Sequence, residues 1–103
     1  MPKNKVFLIN EGSHDYSQAS TFGEILTLSK GFIARFHISK MVRTFNEAMK
    51  DSTEEDYILI SGPATMIAMA CAVFARKHGR LNLLIWQPDD AIGGCYICRK
   101  TIL

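Results

Sequence analysis

Apolar positions recur along this chain with two periods. Lys5 to Ile9 (KVFLI), Tyr57 to Ile60 (YILI) and Leu81 to Trp86 (LNLLIW) are short, nearly unbroken apolar runs, the pattern of strands covered on both faces. Glu24 to Leu28 (EILTL) sets Ile25 and Thr27 against Leu26 and Leu28 and reads as a further short strand. From Ile38 the period turns helical, with Ile38, Met41, Val42, Phe45 and Met49 at steps of three and four. Lys40, Arg43, Glu47 and Lys50 occupy the opposite face. A second helix, rich in Ala and Met, follows Ser61-Gly62-Pro63, and Gly79 caps it after Lys77 and His78, whose charge suits a helix end. Tyr16 to Phe22 predicts a short helix with Asp15 as N-cap. Phe32 to His37 fits strand or helix equally.

Pro88-Asp89-Asp90 and Gly93-Gly94 bracket a loop, after which Cys95 to Leu103 returns antiparallel as the second arm of a hairpin. Strands alternating with helices predict an α/β fold with right-handed crossovers. The expected architecture is a Rossmann-like three-layer sandwich: four mostly parallel strands plus an antiparallel C-terminal edge strand, with helices on both faces. The simplest strand order is 2-1-3-4-5. Without repeats or low-complexity tracts, residues 1–103 read as a single Rossmann-like ligand-binding domain.

In such sheets ligands sit beyond the carboxyl ends of the strands, where the winding direction reverses. Here the reversal falls between Val6–Ile9 and Tyr57–Ile60. It would gather the loops Asn10 to Asp15, Ser29 to Arg35 and Ser61 to Thr65, with Trp86 and Gln87 on the same rim. A strand running through Ser61-Gly62-Pro63 into a helix aims that helix's free N–H groups at the same space, which favours an anion. The candidate ligand-binding residues are therefore Asn10, Ser13, His14, Arg35, Ser61, Gly62, Pro63, Ala64, Thr65, Trp86 and Gln87. Together they suit a nucleotide, its phosphate on the helix end and Arg35 and its base on the indole.

Each part also has an ordinary structural use. Ser61, Gly62 and Pro63 suit a helix start, Trp86 could close the core, and Arg35 could lie over the sheet edge. Met66, Met69 and Phe74 read as core packing. Ser13 and His14 beside Asp15 are the weak candidates for catalysis, because a triad is assembled across a fold rather than along one loop.

Composition narrows the classes. Twelve basic residues against 10 acidic give a net charge of +2, too little for a duplex-DNA binder. At 48% hydrophobic and 21% charged the chain is globular. No apolar run is long enough to span a membrane, and Met1-Pro2-Lys3-Asn4-Lys5 leads at once into a strand pattern rather than a signal peptide. A cytoplasmic location is expected. Cys71, Cys95 and Cys98 are an odd number, and Cys95-Tyr96-Ile97-Cys98 lies on a strand, where residues three apart face opposite sides. That reads as reduced structural cysteines rather than zinc or redox chemistry, and no metal or cofactor is expected. Asp89 and Asp90 read as a solvated turn.

The segment ILISGPATMIAMACAVFA resembles the corresponding part of CARF domains, the CRISPR-associated Rossmann-fold sensors of cyclic oligoadenylates. In that family a hydrophobic strand ends in a Thr-Gly-Gly-Thr-Lys-like turn that holds ligand phosphates and enters an Ala/Met-rich helix. Ser61 and Gly62 match the start of the turn, whereas Pro63 and Ala64 depart from it and Thr65 stands where the family has Lys. Asn10 to Asp15 takes the place of the first ligand loop, with Ser13 as the matching hydroxyl. The chain is also similar over most of its length to short α/β proteins of bacteriophages and mobile elements, through KVFLIN, DYILISG and HGRLNLLIW. The resemblance implies a homodimer that holds a nucleotide-type ligand such as a cyclic oligonucleotide or an ADP-ribose derivative. With no effector domain in view, it implies a sponge that sequesters a host immune messenger. One alternative is a metal-independent phosphodiesterase of the ring-nuclease kind, made less apt by the absent Lys. The other is a protein-interaction inhibitor that takes no small ligand.

Overall fold

The computed structural model describes residues 4–11, 15–29 and 37–103. Five strands form one sheet in the order β2-β1-β3-β4-β5, where β1 is Lys5–Leu8, β2 Glu24–Thr27, β3 Tyr57–Leu59, β4 Arg80–Gln87 and β5 Cys95–Ile102. The first four are parallel, and β5 runs antiparallel to β4 in the register Arg80↔Ile102 to Gln87↔Cys95. This is the α/β arrangement expected from the sequence, including the strand order. The helices are α1 (Ile38–Ala48), α2 (Ala64–His78) and a 3-10 turn over Ser17–Thr21. The expected readings of Phe32 to Phe36 lie outside the described residues.

Connection geometry decides which face each helix covers. A right-handed crossover from β1 to β2 and one from β3 to β4 travel in opposite directions along the sheet, so their helices land on opposite faces. The path from β2 over β1 to β3 runs the same way as that from β3 to β4. Hence α1 and α2 share one face and, among the described residues, the 3-10 turn is the helical element on the other. The helical face buries Phe7, Ile9 and Ile58 of the sheet under Met41 and Phe45 of α1 and Met66 and Phe74 of α2. On the second face Val6, Leu8, Tyr57, Leu59 and Leu84 pack against Ala19, with Tyr16, Phe22 and Tyr96 partly covered around them.

The amino end of the sheet is pinned by buried polar groups. The Asp56 carboxylate accepts the Lys5 N–H at 2.8 Å and the Thr53 N–H at 2.8 Å. Asn82 donates its amide to the carbonyls of Glu54 at 2.7 Å and Asp56 at 2.8 Å, and its oxygen accepts from Arg80 Nε at 3.2 Å. Both side chains are almost fully buried, so these bonds satisfy groups that would otherwise be costly. At the same end of the sheet Gly79, at φ +69°, is the C-cap of α2, and its N–H returns to the Ala75 carbonyl. Cys95 and Cys98 are both reduced and lie on opposite faces of β5, with Cys98 packed among the residues under the 3-10 turn.

Candidate functional site

Because the 3-10 turn spans only five residues, it cannot cover the whole second face. Its Ala19 packs over Val6 and Leu8 of β1, Tyr57 and Leu59 of β3 and Leu84 of β4, while Trp86 at the end of β4 stays exposed. There a hollow of about 450 Å³ opens, within the size range of small-ligand sites. Trp86 and Tyr96 form one wall, Asp15, Tyr16 and Gln18 the facing one, and Ile60 and Ser61 the end of β3 between them. Ile92 and Gly93 of the hairpin loop complete it.

The wall of aromatic rings follows from strand register. Trp86 lies on the same face as Leu84 and Asn82 by strand alternation, and the register sets Tyr96 directly across from it. Their ring centroids are 5.1 Å apart at 67°, an edge-to-face pair. Gly94, at φ +138°, lies against the indole so closely that a Cβ there would run into the ring. Even so, Trp86 keeps 40% of its surface exposed, so it does not close the core.

Across the hollow, the Tyr16 hydroxyl meets Ser61 Oγ at 3.3 Å, joining the 3-10 turn to the end of β3. The Asp15 carboxylate accepts the Ser17 N–H at 2.9 Å, which holds its pKa below the usual carboxylate range. Asp15 thus serves the first N–H of the 3-10 turn from just outside the cap position, which is Tyr16. Tyr96 titrates above the ordinary phenol range, first because it is half-buried and then because Tyr16 and Asp15 lie close by.

The turn into α2 adjoins this hollow through Ser61. Pro63 is the N-cap, in extended conformation and with no side-chain hydrogen bond to the first-turn N–H groups. Gly62, at φ +121°, backs onto Asn10, whose Cβ would stand 3.5 Å from a Cβ at Gly62. Asn10 reaches across to the segment just past β2, where Ser29 Oγ lies 3.1 Å from its Oδ1 and 2.9 Å from the Ile9 carbonyl. The ends of β1, β2 and β3 are therefore stitched together at the point of reversal.

Of the residues expected from the sequence, Ser61 and Trp86 line the hollow. Asn10, Gly62, Pro63, Ala64 and Thr65 lie beside it at the reversal point and do not line it. Gln87 ends β4 on the face opposite Trp86, with Cys95 across from it. Ser13, His14 and Arg35 lie outside the described residues. Sequence reasoning missed Tyr16, Gln18, Tyr96 and Ile92. Tyr96 carried a signal, because the seven-residue loop between Gln87 and Cys95 fixes which residue of β5 meets Trp86, but loop length alone leaves that register open.

No group of three or more His, Cys, Asp or Glu residues that could hold a metal ion occurs among the described residues. No helix among them is long and apolar enough to cross a membrane. The chain belongs to the family described as phage Pam3 gp32-like protein, whose sequence pattern matches residues 4–92. That match takes in β1 to β4 and ends in the hairpin loop, just before the strand that supplies Tyr96. No curated protein and no solved structure is matched.

Proposed function

We propose that this small phage protein binds a nucleotide-type molecule, with the base in the hollow beside Trp86 and Tyr96 and the phosphate toward the turn Ser61–Thr65. The observation that carries the reading is the half-open indole of Trp86, held from behind by Gly94 and from the side by Tyr96, next to a helix start without a side-chain cap. A rigid aromatic face left open to solvent suits a planar ring, since stacking contributes roughly 1–3 kcal/mol per base. The N–H groups of Ala64 to Met66 and the α2 dipole then favour the attached anion. Ser61, which lines the hollow and precedes the turn, joins the two halves.

The resemblance of this turn to CARF domains points to cyclic oligonucleotides as the ligand class, with ADP-ribose derivatives as a second nucleotide-type candidate. In a phage protein acting in the host cytoplasm, holding such a molecule would withhold an immune messenger. A homodimer would enclose more of the ligand than one shallow hollow does. Sequestration is favoured over cleavage because Thr65 stands where the resembling turn has Lys, and the hollow is lined by rings and hydroxyls with the single carboxylate of Asp15.

A panel of cyclic di- and oligonucleotides and ADP-ribose derivatives in a thermal-shift assay tests this. A true ligand at a hundredfold excess over its dissociation constant stabilises the fold by about 2.7 kcal/mol, a rise of several degrees at least. The ligand should be recovered intact after denaturation, whereas a cleaved product would assign the site to catalysis. A panel without any shift would remove the proposal.

A further inference from the structure

We propose that the hollow selects a positively charged ring: the part of the ligand that enters between Trp86, Tyr96 and Tyr16 carries a permanent cation beside the Asp15 carboxylate. The inference deepens the nucleotide reading of the same hollow, but it concerns the ring alone and does not need the phosphate.

Three observations converge. Asp15 is the only charged side chain among the described residues that line the hollow. The other principal walls are aromatic, and the face of an aromatic ring is the negative pole of its quadrupole. The Trp86–Tyr96 pair is edge-to-face, so the two rings present surfaces at 67° to each other, a corner rather than a flat stack. A corner of rings closed by a carboxylate is the arrangement that recognises quaternary nitrogen.

The local field has the matching sign. Asp15 is fixed as an anion by the Ser17 N–H it accepts. Part of what discourages ionisation of the Tyr96 phenol is the proximity of Asp15 and Tyr16. A site that resists a second negative charge attracts a positive one. A neutral base would gain the stacking alone, and a phosphate placed here would meet the carboxylate.

The chemical class is therefore an N-alkylated heteroaromatic ring, as in a pyridinium or a 7-methylpurine nucleotide. Two matched pairs of probes separate charge from shape. Nicotinamide mononucleotide and its reduced form share a skeleton and differ in ring charge; 1-methylnicotinamide and nicotinamide form a pair without phosphate. Calorimetric titration of the full chain should show the charged member of each pair binding about tenfold tighter. Asp15→Asn, which keeps an oxygen for the Ser17 N–H, should cut that preference several-fold.

Equal binding of charged and neutral members would overturn the inference while leaving the nucleotide reading in place if both mononucleotides bind. Preference for 1-methylnicotinamide with no binding of either mononucleotide would support the inference and remove the nucleotide reading. No binding by any of the four would overturn both. An undiminished preference in Asp15→Asn would overturn the inference as well.

Discussion

The two faces of the sheet are covered very differently. On one, α1 and α2 lie side by side over Phe7, Ile9 and Ile58, and Phe45 and Phe74 are removed completely from solvent. On the other, a five-residue 3-10 turn covers β1 and β3, while Trp86 on β4 remains 40% exposed. Both faces are built from the same strands by the same alternation of side chains. The difference lies in how much helix each connection supplies. The face with two long connections becomes the core, and the face with the short one retains an unfilled space. The closed core and the open hollow thereby lie on opposite faces of a single sheet.

That separation has measurable consequences. The largest is expected on the closed face: Phe74→Ala, in the centre of α2, should cost about 3–5 kcal/mol in denaturant unfolding. Phe74 also stacks on His78, with ring centroids 4.6 Å apart, so the substitution loosens the end of α2 as well. A loss below ~1 kcal/mol would show that the helical layer is not the stabilising one.

On the open face, Gly94→Ala forces a Cβ into the space of the indole at a φ of +138°. It should cost about 1–2 kcal/mol and shift the emission of Trp86, the single tryptophan, as the ring is pushed from its place. An unchanged spectrum would mean that Gly94 does not hold the ring. Trp86→Ala is expected to be milder still for the fold, about 1 kcal/mol, because the side chain is already part-exposed. Its effect belongs to binding, and any ligand identified by thermal shift should lose most of its affinity in this variant. If Trp86→Ala unfolded the protein as readily as Phe74→Ala, the contrast between the faces would collapse.

The smallest effect is a pH dependence on the closed side. Burial chiefly, and then the neighbouring Lys77, hold His78 below the ordinary histidine value of 6.5, against the opposing pull of Asp56 and Glu54. Its ring nitrogen Nε2 lies 2.8 Å from Ser52 Oγ. Just below 6.5 the unfolded chain therefore binds the proton that the folded protein resists. Stability should fall as pH drops through that value and level off once folded His78 is also protonated. Between about pH 7.5 and about pH 5.5, His78→Gln should show a shallower fall in Tm than the parent chain. Identical slopes would assign the acid sensitivity to other groups.

Much of the fold is legible in the order of residues. The runs KVFLI, YILI and LNLLIW are too apolar and too short for anything but interior strands, and α1 declares itself by its period. The bounds differ by a residue or so: β1 ends at Leu8 and β3 at Leu59, and β4 extends to Arg80 and Gln87. The expectation of helices on both faces holds in a lopsided form, with the 3-10 turn as the helical part of the second layer among the described residues. Nothing in SQAST states that its hydrogen bonds close over three residues rather than four, since that depends on the short span between Asp15 and β2. Of the site, Ser61 and Trp86 could be named because one ends a strand and the other is an aromatic at a strand's carboxyl end. Tyr16 and Tyr96 could not, because their relevance comes from partners far away in sequence.

The residue order by itself determined which segments are strands and helices, and the handedness of chain crossovers then determined the faces on which the helices lie. Both follow from local period and chirality, which are carried by neighbouring residues. Tertiary structure alone decided that Trp86 meets Tyr96, that Tyr16 reaches Ser61, and that Asp15 is the charge beside them. Those contacts depend on strand register and on how far one short turn extends over the sheet. Both are set by the packing of the whole chain rather than by the composition of any one stretch.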